Sequence, residues 1–261
     1  MRDWGNFLAT LLLLAIRLAG VVAFAPFFSS KAIPVRAKAV FVLAFAYLLA
    51  PLAAALAPGS AALTLPAIAG ELAVGILYGL ALALLNEMLL FSGLIMGLQF
   101  SFSLVNLLDP ASEIQSPLLG EMLQLMGTLV LLAAGMDRIL FDSLLRSLHA
   151  VPPGTFLFSV ADSSQIVAAA AGIFAAALEL AAPVLGATMI VEFAIAIVSR
   201  ISPQLPVMSL SVPFKTITGY VVLIGSLALW PHFIESRFSA LLDLAEHLIA
   251  HSAAQAFPGG V

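Results

Sequence analysis

Seven ionisable side chains, Arg17, Glu71, Glu87, Glu121, Glu179, Glu192 and Lys215, stand inside or beside long apolar runs. Each is costly in hydrocarbon, so such a group is a candidate for ion passage, proton relay or contact between helices. A relay needs its carboxylates on one face. At about 100° per residue, the spacing from Glu71 to Glu87 leaves them roughly 160° apart, and that from Glu179 to Glu192 roughly 140° apart, so neither pair forms a dyad. Charges aimed in several directions suit helices with protein on more than one side, which makes Arg17, Glu87, Glu179 and Glu192 candidate assembly contacts. Glu71 and Lys215 are read instead as charges at a headgroup boundary.

Other chemistries find few residues. His247 and His251 stand four apart, but His149 and His232 add no third ligand at a zinc-binding spacing, so no metal site is expected. The chain has no cysteine, no phosphate-binding G-x-x-x-x-G-K-[ST] loop and no G-x-S-x-G nucleophile elbow. Catalytic residues and cofactors are therefore not expected. With a net charge of −4 and no basic run, nucleic acid is not an expected partner.

The elements that must position these charges are membrane helices. Of 261 residues 62% are hydrophobic and only 9% charged, with a mean hydropathy of +1.15. A soluble domain carries about a quarter of its residues as charges. Phe7–Phe28, Ala39–Leu56, Leu118–Ala134 and Val212–Phe233 read as simple spans. The first run is longer than a signal-peptide core and is interrupted by Arg17, so it is expected to stay. Ala67–Phe102 would extend about 54 Å as one helix, against about 30 Å of hydrocarbon. It must tilt, break or protrude. Ile166–Val198 carries Pro183 at its middle, where a break or bend is expected. Six spans is the simplest count. The basic cluster from Ser30 to Lys38 favours a cytoplasmic first loop.

Two segments look amphipathic. From Arg138 to His149, the apolar face is Phe141, Leu144, Leu145 and Leu148, while Arg138, Asp142 and Arg146 follow one another at i+4 on another. In the tail, Phe238, Leu241, Leu242, Ala245, Leu248 and Ile249 share a face, which suits lipid or a docking partner, or else a solvated helical ending. Gly75 with Gly79 and Gly93 with Gly97 form G-x-x-x-G pairs, and Gly172 and Gly186 add smooth patches for close helix packing.

The segment FSFSLVNLLDPASEIQSPLL, Phe100 to Leu119, is too polar and too rich in helix breakers to continue a span, yet too apolar for an exposed loop. Non-helical backbone at membrane depth is tolerated where protein buries it or where it lines an aqueous cavity, so a re-entrant or pore-facing loop is expected.

Three blocks resemble the FliR family, the flagellar biosynthetic proteins of the bacterial type III export gate: PFFSSKAIPVRAKAVFVLAFAYLLAP (26–51), LQFSFSLVNLLDPASEIQSPLLGEMLQLMGTLVLLAAGMDRILFDSLLRSL (98–148) and RISPQLPVMSLSVPFKTITGY (200–220). They stand in family order over nearly the whole chain. Injectisome counterparts share the pattern, and NLLDP with QSPLLG is closer to the flagellar branch. One departure is Asp137-Arg138, where flagellar relatives often carry two histidines.

The resemblance implies an all-α integral membrane protein of about six long, partly broken helices. A FliP-like part (1–162) is followed by a FliQ-like hairpin (163–233), bent at Arg200 to Pro213, and an amphipathic tail (234–261). It implies a non-enzymatic export-gate subunit of the bacterial inner membrane and flagellar basal body, assembling with FliP and FliQ beside FlhB and FlhA. Its assembly is a helical ring partly above the membrane plane, which passes unfolded flagellar subunits. The central loop (100–119) then plugs the closed channel, with Phe100, Phe102, Leu107 and Leu108 excluding water. Asp109-Pro110 and Gly120 let the loop swing, Pro117 in the plug acts as a second helix stop, and Met122 and Met126, one turn apart, are candidates for a deformable seal. The rival reading is a small-solute secondary transporter, motivated by breaks expected at Asn86-Glu87 and Pro183. An intramembrane hydrolase lacks a nucleophile and base at workable spacing.

Overall fold

The computed structural model describes residues 2–25, 33–56, 62–100, 118–156, 163–202, 204 and 207–256. They form α1 (Arg2–Phe24), α2 (Val35–Leu56), α3 (Leu65–Gln99), α4 (Leu118–Ala133), α5 (Met136–Ala150), α6 (Ser163–Ile201), α7 (Val207–Ser226), a 3-10 turn (Leu227–Leu229) and α8 (Trp230–Ala256). No strand occurs among the described residues. The fold is all-α, as expected. Four helices, α1, α2, α3 and α6, are each long and apolar enough to cross a membrane, and six spans result if α4 with α5 and α7 with α8 each count as one.

Local chemistry explains most boundaries. Thr64 caps α3, its Oγ1 accepting from the Ala67 amide at 3.3 Å, and Pro66 sits in the first turn, where no amide donor is missed. Between α4 and α5 the chain turns at Gly135, whose φ of 72° is left-handed and open to glycine without steric penalty. At the far end of α5, Val151 closes the last turn onto the Ser147 carbonyl at 2.8 Å, and Pro152-Pro153 prevents continuation.

Three expectations about breaks are corrected. The 39-residue α6 is continuous through Pro183, and the 35-residue α3 through Asn86-Glu87. At 1.5 Å per residue they extend about 58 and 52 Å, well beyond the hydrocarbon thickness. One missing amide does not break a helix whose other backbone groups have no competing partner in an apolar setting, so Pro183 is absorbed, as are Pro51 in α2 and Pro213 in α7. Helix α6 ends at Ile201 and α7 begins at Val207 and runs through Pro213, so the bend expected over Arg200 to Pro213 does not extend into 207–213. Conversely, the expected span Val212–Phe233 is divided by the 3-10 turn. Ser226 turns its hydroxyl back to the Leu223 carbonyl at 2.8 Å, and Pro231 restarts a helix more readily than it continues one.

The chain divides into two compact units that interleave in sequence. The first comprises Met1–Leu85, Gly135–Ala169 and Ser236–Val261. Here α1 packs on α2, and Phe45 of α2 stacks on Phe141 of α5 at 5.2 Å. The tail forms helix and buries one face, Phe238, Leu242, Ala245, Leu248 and Ile249, while Asp243 and His247 remain exposed. That decides against a wholly solvated ending.

The second unit comprises Asn86–Ala134 and Ala170–Glu235. In it α4 lies against the second half of α3, with the Gly93 and Gly120 backbones in contact and the Gln124 side-chain amide donating to the Asn86 carbonyl at 3.3 Å. Helix α6 buries a stripe of Ile173, Ala177, Leu180, Ala181, Val184 and Thr188. Its other face exposes Phe174, Leu178, Met189, Ile190, Phe193 and Ile197. Of its most apolar 18-residue window, only 17% is buried. Such a surface requires lipid or other protein chains around it.

Candidate functional site

Arg17 lies three residues before Gly20 on α1, and Glu71 four before Gly75 on α3. Residues at these spacings share a helix face, so where the glycines meet the two charges also meet. A Cβ added to Gly20 would stand 2.8 Å from the Gly75 carbonyl carbon, and one on Gly79 would stand 2.8 Å from the Gly20 carbonyl oxygen. The G-x-x-x-G pair Gly75 and Gly79 is therefore the crossing point of α1 and α3.

Beside this crossing, Arg17 Nε donates to Glu71 Oε2 at 2.7 Å and Nη2 to Oε1 at 3.1 Å, a two-pronged ion pair. Arg17 is 1% exposed and Glu71 0%. The remaining polar atoms are satisfied from α5 and the turn after it. Arg17 Nη1 donates to Ser147 Oγ at 3.1 Å and Nη2 to the Val151 carbonyl at 3.1 Å, while the Gly154 amide donates to Glu71 Oε1 at 2.8 Å. Ser147 in turn donates to the Leu144 carbonyl at 2.6 Å. A buried charge pair is tolerable only when its other hydrogen-bonding capacity is also met, and here three helices and a turn meet it. One turn further along, the Tyr78 hydroxyl donates to the Ser143 carbonyl at 3.1 Å and accepts from Ser143 Oγ at 3.2 Å.

Two expectations change. Glu71 is no headgroup-boundary charge: it is the wholly buried partner of Arg17. The inward face of α5 is Ser143, Leu144, Ser147 and Leu148, displaced from the expected Phe141, Leu144, Leu145 and Leu148. Both serines turn inward to polar partners: Ser147 Oγ accepts from Arg17, and Ser143 Oγ donates to the Tyr78 hydroxyl. The charge ladder on the outer face is partly realised, with Arg146 donating to Asp142 at 2.6 Å.

In the second unit, Lys215 of α7 is ion-paired with Glu192 of α6, the lysine side chain 14% and the glutamate 49% exposed. Lys215 thus has a protein partner rather than a headgroup. Phe100, just past the end of α3, is 3% exposed. Its ring stacks on Tyr220 at 4.9 Å and lies against Gly219, and its carbonyl accepts from Thr216 Oγ1 at 3.4 Å. Gly219 leaves the space this ring occupies.

The sequence profile of the bacterial export proteins, family 1, matches residues 8–241. The chain belongs to that family. Among its relatives is the flagellar biosynthetic protein FliR of Aquifex aeolicus, 26% identical over 246 residues, covering 94% of this chain and 95% of the relative. The FliR of Escherichia coli is 23% identical over 236 residues, 90% of each chain, and that of Bacillus subtilis 26% identical over 183 residues, 69% of this chain and 71% of the relative.

For this export-family chain, the sequence-derived residues fall into three groups. Arg17 and Glu192 are brought into ion pairs. Glu87 and Glu179 are exposed on α3 and α6, Met122 is 59% exposed on α4, and Met126 one turn away is half-buried. Phe102, Leu107, Leu108, Asp109, Pro110 and Pro117 lie outside the described residues, leaving Phe100 as the described root of that segment. Of the second glycine pair, Gly93 packs on Gly120, whereas a Cβ on Gly97 would meet nothing within 4 Å. The expected smooth patches at Gly172 and Gly186 likewise have no neighbour within 4 Å among the described residues.

Sequence reasoning placed Glu71 at a headgroup boundary and missed Ser143, Ser147 and Gly154. One signal was available: Glu71, Gly75, Tyr78 and Gly79 recur at helical spacing and so define one face of α3.

Proposed function

We propose that this chain is a core subunit of the flagellar type III protein export gate. With FliP and FliQ, beside FlhB and FlhA, it forms the inner-membrane channel of the basal body through which unfolded flagellar proteins pass. The observation that carries this is the family match over residues 8–241, together with relatives named flagellar biosynthetic protein FliR that span up to 94% of the chain. Two structural features support it. Helices of 35 and 39 residues overshoot a bilayer, and the exposed apolar face of α6 calls for neighbouring helices. The transporter reading rested on helix breaks that α3 and α6 do not have.

In this reading the segment 100–119 closes the channel. Apolar side chains, Phe102, Leu107 and Leu108, exclude water and ions, and Asp109-Pro110 and Pro117 keep the segment from forming a rigid helix. Met122 and Met126 provide a seal that repacks around irregular cargo. The chain's own part is structural: the Arg17–Glu71 cluster fixes α1, α3 and α5, and Phe100 holds the root of the segment against α7. No bond is made or broken.

The test is genetic and biochemical. In a strain lacking its own FliR, this chain should restore swimming and co-purify with FliP and FliQ. A chain that purifies as a stable monomer and fails to restore swimming overturns the assignment. Deleting Asp109 to Pro117 should raise ion leakage in cells, and unchanged conductance rejects the plug role alone.

A further inference from the structure

An open cleft of about 500 Å³ runs between α1 and α2, lined by Leu12, Ile16 and Ala19 on one side and Lys38, Val42 and Leu43 on the other. Apart from Lys38, every side chain that lines it is apolar. Its α1 wall, from Leu12 to Ala23, extends about 16 Å at 1.5 Å per residue. That is close to the roughly 15 Å of hydrocarbon in one leaflet of a bilayer.

Lys38 sits half-buried at the end of this cleft nearest the start of α2, and Arg36 is exposed one turn or less away. Neither has a carboxylate within salt-bridge distance among the described residues. The sequence explains this: between Asp3 and Glu71 there is no acidic residue at all. Glu71 is consumed by Arg17, and Asp3 opens α1, about 30 Å of helix away from Ala23. The first turn of α2 also lacks an acidic residue, so its amide dipoles add to the uncompensated positive charge. An apolar slot about one leaflet deep, with Lys38 in its lining and Arg36 exposed two residues before it, neither paired among the described residues, is complementary to a molecule with a long hydrocarbon chain and an anionic head. Basic sites between membrane helices on the cytoplasmic side recognise phosphate headgroups in this way.

We propose that the α1–α2 cleft binds one anionic phospholipid, an acyl chain lying along Ile16, Ala19 and Val42 and its phosphate held by Lys38 and Arg36. This proposal is independent of which proteins surround the chain. It makes the first helical pair a lipid-anchored element with its cationic end at the cytoplasmic leaflet.

The test uses the full chain, solubilised in detergent and followed by native mass spectrometry while phosphatidylglycerol or phosphatidylcholine of the same acyl composition is added. The wild-type chain should retain phosphatidylglycerol about fivefold more tightly per cation, hence about 25-fold overall. Lys38→Gln with Arg36→Gln should abolish that preference and leave weak binding of both lipids. Ala39→Trp, at an exposed position of the cleft that needs no repacking, should weaken both lipids equally, with helicity by circular dichroism unchanged. Inorganic phosphate should not compete, since it lacks the chain that fills the slot. The proposal is overturned if the double variant keeps the preference, or if Ala39→Trp leaves lipid retention untouched.

Discussion

Both oxygens of the Glu71 carboxylate receive a proton donor from Arg17, Nε at 2.7 Å and Nη2 at 3.1 Å, across 54 residues of sequence. With both groups out of solvent, the consequence of removing either one differs sharply from that of removing both. Arg17→Ala or Glu71→Ala leaves an uncompensated buried charge and should lower stability by about 3–5 kcal/mol. Arg17→Met combined with Glu71→Leu, which exchanges the pair for apolar side chains of similar reach, should be milder than either single change. The midpoint of thermal unfolding of the purified protein measures this, and a double variant worse than both singles would refute the buried-pair account.

The exposed pair supplies the contrast. Glu192 is about half exposed, so Glu192→Gln should alter the same midpoint by no more than about 1 kcal/mol equivalent, the usual value of a solvent-accessible ion pair. A loss comparable to that of Glu71→Ala would mean that Lys215 is far less accessible in the folded protein than it is in this chain alone.

Two glycines of α3 separate packing from composition. Gly93 lies against the Gly120 backbone, so Gly93→Ala forces helices apart and should cost about 1–3 kcal/mol. A Cβ on Gly97 meets nothing within 4 Å among the described residues, and Gly97→Ala should stabilise by about 0.5–1 kcal/mol through helix propensity alone. Equal effects from both substitutions would contradict the observed crossing.

How much of this was readable in advance follows from what each feature depends on. The runs of α1, α2, α3 and α6 are legible because a spanning helix is a local property of about 20 consecutive residues. The Arg17–Glu71 pair is not local. It depends on where α1 crosses α3, and comparing glutamates along one helix looks for a different geometry. The break at Leu227–Leu229 falls in an uninterrupted apolar stretch, where only Ser226 and Pro231 hint at it. Pro183 misled in the opposite sense, because the rule for soluble helices overstates what one lost amide does in an apolar setting. Gly154 is visible as a turn residue after Pro152-Pro153, but its bond to Glu71 appears only once the chain is folded.

Gly154 has a φ of 87°, and its amide donates to Glu71. Gly154→Ala should therefore cost about 1–2 kcal/mol from the left-handed backbone, with a further loss if the amide shifts away from the carboxylate. Measured in the Glu71→Leu, Arg17→Met background, the further loss should vanish and the backbone part remain. A penalty identical in both backgrounds would show that the amide contributes nothing to the cluster.

Phe100 ties the proposed closing segment to the helical frame. Because its ring is buried against Gly219 and Tyr220, Phe100→Ala should destabilise by about 3–5 kcal/mol, as for other buried aromatic truncations. Phe100→Leu, which refills part of the space, should lose less. If the root of segment 100–119 must be held for the channel to close, Phe100→Ala should also raise ion leakage toward that of the Asp109–Pro117 deletion, and Tyr220→Ala should do the same from the other side of the stack. Leakage without loss of stability would place the Phe100 ring in the passage itself, and loss of stability without leakage would detach this contact from closure.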